Sequence, residues 1–195
     1  MAEKQHYHQK FEYGSFYHIY NRSIDKQLMF RSDENYRFFL KQYDKYLTPL
    51  VETYAYCLLG NHFHMLIRIK EVDKLDMINL QVKSAHDLVA HQLQKFFQSY
   101  AMAFNKQHDR VGSLFQKPFK RSLIDSEEYL TKIISYIHFN PQKHGLIKDF
   151  YDWRWSSYNR ILMDRPSNLK KKEVIEWFGN RESYIQFHHD SKQFM

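Results

Sequence analysis

The chain is poor in the residues that build secreted, fibrous or membrane-spanning proteins. Among its 195 residues there is one cysteine, Cys57, so no internal disulfide can form and a reducing compartment is compatible. Five glycines and four prolines leave no room for collagen-like, low-complexity or linker-rich organisation. No apolar run approaches the length of a membrane span, and the first ten residues are polar, without a signal-peptide core. The expected product is soluble and cytoplasmic. Acidic residues are also scarce, 22 against 29 lysines and arginines, and the formal charge of +7 favours a polyanionic partner. What the chain does have is aromatic side chains, 15 tyrosines and 16 phenylalanines, which fill cores and also stack on unpaired bases.

The length suits one domain with decorations. Residues 15–22 (SFYHIYNR) alternate and are rich in β-formers, which predicts a first strand. Ser32 then caps a helix to about Leu47, with Tyr36, Phe39, Leu40 and Tyr43 at helical spacing. Val51–Leu59 reads as a second strand, Gly60-Asn61 as a turn, and residues 62–69 as a third strand. The charged stretch 70–76 reads as a loop or the start of a short helix. Residues 84–105 have a helical pattern, residues 117–124 a strand entered at Pro118, and residues 126–139 a strong helix. Strand, helix, strand, strand, helix, strand is the split βαβ pattern. This predicts an α+β, ferredoxin-like or RRM-like βαββαβ antiparallel sheet with helices on one side. In that topology the first and third strands are central neighbours. Residues 1–14 read as a tail, 15–160 as the main domain and 161–195 as a C-terminal extension.

Within the third strand, Asn61-His62-Phe63-His64-Met65 puts two imidazoles on one face of a rigid element, because successive strand side chains alternate. Such a pair suits a divalent metal ion, or serves as two hydrogen-bonded histidines of a half-buried strand. On the last helix, Tyr129, Lys132, Tyr136 and Asn140 form a stripe beside the apolar one of Leu130, Ile133, Ile134 and Ile137. Asn140 precedes Pro141, which predicts the end of the helix there. A phenol and an amide one turn apart can act as nucleophile and metal ligand, or as a packing residue and a turn residue.

Together these segments resemble the single-tyrosine HUH transposases, most closely the REP-associated tyrosine transposase branch. The resemblance runs through residues 16–22 (FYHIYNR), 54–66 (YAYCLLGNHFHML), Asn105, 112–116 (GSLFQ), 136–141 (YIHFNP) and 155–158 (WSSY), in family order. It implies metal-binding His62 and His64, a nucleophilic Tyr136 and a further polar ligand at Asn140. It also implies nicking of single-stranded DNA next to an imperfect hairpin, through a 5′-phosphotyrosine that leaves a free 3′-hydroxyl. The sequence departs from the commonest family pattern at Gly60, where a proline often stands, and nothing is carried over beyond Tyr158.

A mixed nitrogen and oxygen site suits Mg²⁺ or Mn²⁺, the latter better matched to imidazole. DNA binding is expected to rest on backbone neutralisation by Arg22, Lys106, Arg110, Lys117, Lys120, Arg121 and Lys132, each of which also reads as a solvated charge. His18 is a candidate partner behind the metal ligands, or a half-buried structural histidine. His138 points away from the tyrosine face, as a structural residue or a DNA contact. The expected partner is hairpin-bearing single-stranded DNA of REP type, bound by a monomer or homodimer associated with the nucleoid. The competing reading is a domesticated hairpin DNA- or RNA-binding protein that does not cut.

Overall fold

The computed structural model describes residues 9–71 and 84–191. Four strands, β1 (Phe16–Arg22), β2 (Val51–Leu59), β3 (His62–Ile69) and β4 (Lys120–Ile124), form an antiparallel sheet in the order β2-β3-β1-β4. Helix α1 (Asp33–Tyr46) follows β1 and helix α2 (Ala85–Gln107) follows β3, which completes the expected βαββαβ order with β1 and β3 at the centre. Both helices lie on one face. There Tyr17, Ile19, Phe63, Met65 and Ile67 of the central strands pack with Phe39, Tyr43, Phe96 and Tyr100 of the helices. The helix starts follow local chemistry: the Asn35 side chain accepts from the Arg31 and Ser32 amides, and Ser84 Oγ accepts from the Asp87 amide.

The opposite face is covered by helix α3 (Glu127–Lys143), whose Leu130, Ile133, Ile134 and Ile137 pack on Cys57, Leu59, Leu66 and Ile124. Short helices α4 (Tyr158–Leu162), α5 (Lys171–Trp177) and α6 (Arg181–Ser191) extend the same cluster through Ile161, Val174 and Tyr184. Edge strand β2 is shielded by residues 153–156. Trp155 O accepts from Leu58 N and Trp153 Nε1 donates to Leu58 O, each at 2.9 Å.

Two boundaries differ from the sequence expectation. β4 begins at Lys120 and not at Lys117, because Pro118 has no N–H to give a ladder; the Lys117–Pro118 peptide is cis. Helix α3 runs through Pro141 to Lys143, a turn beyond Phe139. Proline removes one backbone hydrogen bond there, but the Asn140 side chain donates to Tyr136 O at 2.7 Å and His144 N bonds Asn140 O at 2.9 Å, so the turn stays closed. The expected tail is docked at its end, where Phe11 is buried and Gln9 Oε1 accepts from Leu123 N. Residues 1–8, 72–83 and 192–195 lie outside the described residues, and with them most of the charged stretch 70–76.

Candidate active site

The register of β1 against β3 builds one wall of the site, pairing Tyr20 with His64 and Arg22 with His62. Because strand side chains alternate, His18, Tyr20, His62 and His64 share the face that α3 covers. The rings of His62 and His64 lie 5.3 Å apart, and His18 Nε2 is 2.9 Å from His64 Nδ1. Helix α3 builds the other wall. Tyr136, Asn140, Lys143 and His144 follow at steps of four, three and one, which keeps them on one side of the helix. Tyr136 stands edge-on to His64 with ring centres 5.7 Å apart, and His144 stands edge-on to His62 at 4.7 Å. Lys143 Nζ lies 5.2 Å from the centre of the Tyr136 ring.

Between the walls is a cleft of about 350 Å³. It is lined by Tyr136, His62, His64 and His144, and by four cations, Arg22, Lys26, Lys120 and Lys143, with no carboxylate. Such a lining attracts phosphate and repels nothing anionic.

The imidazoles are neutral at pH 7. Burial pushes His18 and His62 down to about 3, and His64 well below its ordinary value. Neighbouring His144 and Arg22 push His62 and His64 in the same direction. Neutral rings keep a lone pair for a Lewis acid. His62 Nδ1 is 2.7 Å from Asn61 Oδ1, an acceptor, so the proton sits on Nδ1 and the lone pair on Nε2. That Nε2 is buried without a hydrogen-bond partner, and so is Asn140 Oδ1. A buried acceptor left open is costly unless something binds it. Each of these two atoms is a lone-pair donor of the kind a divalent cation takes; His62 lines the cleft, whereas Asn140 is fully buried and is not among the lining residues. Among the described residues no three His, Cys, Asp or Glu side chains are grouped to hold a metal ion.

Of the other expected residues, Arg22 and Lys120 line the cleft. Arg121 does not: it is buried, and its guanidinium lies over Phe11 and Phe119. One step along a strand moved it to the other face. Lys132 is paired with Glu128 at 3.0 Å, and Arg110 is held by Asn105 Oδ1 at 2.6 Å. Lys106 and Lys117 are exposed outside the cleft lining. His18 touches His64 directly, while His138 is fully buried between Ser157 Oγ at 2.7 Å and His188 Nε2 at 2.9 Å, out of reach of DNA.

Sequence reasoning missed Lys26, Lys143 and His144. The helical step from Tyr136 through Asn140 was the signal for the last two, hidden by taking Pro141 as a stop. Lys26 had no local signal. It sits in the β1–α1 connection, where Asp25 and Lys26 both take left-handed backbone, φ 53° and 54°. This geometry costs non-glycine residues roughly 1–2 kcal/mol each.

No protein-family model matches the chain. It is 29% identical over 137 residues to the "Putative REP-associated tyrosine transposase" of Haemophilus influenzae, covering 69% of this chain and 71% of that protein. The chain is thus similar to a protein of that name over two thirds of its length. Its fold is also similar to a solved structure of a REP-associated tyrosine transposase bound to a REP hairpin, with a TM-score of 0.58 and 18% identity over 80% of this chain and 84% of that one. Among the described residues, no helix is long and apolar enough to cross a membrane.

Proposed function

We propose that this chain is a metal-dependent single-stranded DNA endonuclease and strand-transferase that recognises hairpin DNA and cuts beside it through Tyr136. The observation that carries the reading is a half-exposed phenol packed against His64 in a cleft lined by four cations and no carboxylate. Tyr136 Oη attacks the scissile phosphorus, and the bond from phosphorus to the 3′-oxygen breaks. The phenol proton is matched by the proton gained on the departing 3′-hydroxyl, and the 5′-phosphate stays on the tyrosine. Since the phosphoester count is unchanged, a DNA 3′-hydroxyl reverses the step without ATP.

His62, His64 and Asn140 would hold the cation, Mg²⁺ or Mn²⁺, which when bound polarises the phosphate and stabilises the leaving oxygen. Asn61 orients His62, and His18 orients His64, each through a ring nitrogen. Arg22, Lys120 and Lys143 neutralise the strand that enters. The relatives' names, and the REP hairpin bound in the related structure, support a REP-type hairpin as the partner.

The test is incubation with hairpin-bearing single strands and Mn²⁺, read on a denaturing gel. A covalent protein–DNA adduct is expected, lost in Tyr136→Phe and in EDTA. Undiminished adduct in Tyr136→Phe would sink the nucleophile assignment.

A further inference from the structure

We infer that Lys26 is a phosphate-binding residue of this cleft, set there by a strained backbone. The inference rests on the reading above that single-stranded DNA enters the cleft.

Three observations converge on it. First, the Asp25–Lys26 pair is left-handed at both residues. Aspartate tolerates that region better than most side chains, but lysine has no such preference. Strain of this kind persists only where the surroundings impose it, and it concentrates where a side chain must be aimed.

Second, the surroundings do impose it. Ser23 N bonds Asn61 O at 2.9 Å, Asn61 Nδ2 donates to Lys26 O at 3.2 Å, and Met29 N and Phe30 N both bond Gly60 O. The connection is clamped onto the turn that precedes His62. The same Asn61 whose Nδ2 holds Lys26 holds His62 Nδ1 with its oxygen.

Third, the outcome is selective. Lys26 lines the cleft, and Asp25, the only acid among residues 23–28, does not. A carboxylate there would repel the phosphate that four cations attract.

The test uses a labelled imperfect DNA hairpin with single-stranded extensions on both sides. Binding is measured in EDTA across a salt series, so that cutting does not enter. Lys26→Gln keeps the loop geometry and removes the charge. It is expected to weaken binding several-fold and to lower the log–log salt slope by about 0.7, the value of one single-strand phosphate contact. Lys26→Arg is expected to restore the slope. Lys26→Gly, which relieves the strain, is expected to melt no lower than the parent while binding like Lys26→Gln.

Unchanged affinity and slope in Lys26→Gln would overturn the inference, even with cutting intact. A parent that binds with the expected slope difference but forms no adduct would fail the nuclease reading and support Lys26 as a phosphate ligand. A parent that does not bind at all would overturn both.

Discussion

Asn61 joins the two halves of the site through one side chain. Its oxygen accepts the hydrogen bond from His62 Nδ1–H and leaves Nε2 open, while its nitrogen donates to the Lys26 carbonyl. Asn61→Ala removes both constraints, so His62 is free to rotate and to exchange tautomers. Adduct formation is expected to fall 10–100-fold, the usual cost of losing a group that orients a metal ligand, with hairpin affinity changed much less. Equal cleavage rates in the two proteins would remove Asn61 from that role. The facing of His62 and His64 was legible in the sequence because strand alternation is local. The Asn61–Lys26 contact was not, since it joins residues 35 positions apart across a left-handed turn.

At the scale of one element, helix α3 carries Tyr136 toward the cleft on one side and its anchorage on the other. Ile134 and Ile137 are fully buried against β2 and β3, while Tyr136 faces the cleft. Ile134→Ala leaves a cavity and is expected to cost about 2–5 kcal/mol, read as a lower melting temperature. At a temperature where the variant is still folded, adduct formation is expected to drop more than hairpin binding, because α3 holds the phenol but only one of the four cleft cations, Lys143. Loss of binding alone would contradict this division. The apolar stripe of α3 was legible from its period. Its last turn was not, because a proline rule read in isolation ignores the Asn140 amide that bonds Tyr136 O and the His144 amide that closes the turn. The reach of α3 toward α6 was equally invisible: His138 meets His188 at 2.9 Å, fifty residues on.

For the whole molecule, the buried imidazoles make stability depend on pH in one direction. Burial pushes His188 down to about 4, with His189 adding to the effect and its bond to Tyr184 O opposing it. His138 is held well below its ordinary value by burial and by His188. Between pH 6.5 and about 4 the unfolded chain binds a proton at His188 that the folded chain refuses, so stability is lost as pH falls through that window. At pH 5 the loss is roughly 2 kcal/mol for this one residue. The melting temperature is expected to be lower at pH 5 than at pH 7, and the difference to shrink in His188→Gln. A higher melting temperature at pH 5 would mean that these rings are not buried neutral.

By itself the sequence determined what depends on neighbours along the chain: strand and helix periods, the βαββαβ order, the shared face of His62 and His64, and the stripe that begins at Tyr136. It also carried, as a pattern, the resemblance that named the chemistry. Tertiary structure alone decided which charges meet. Arg22 and Lys120 reached the cleft, Arg121 turned into the core, and Lys26 and Lys143 arrived unannounced. Charge lies on long side chains whose direction depends on strand register, on a left-handed turn and on a helix carried past its proline. Each of these is fixed by contacts between distant parts of the chain, beyond the reach of any local period.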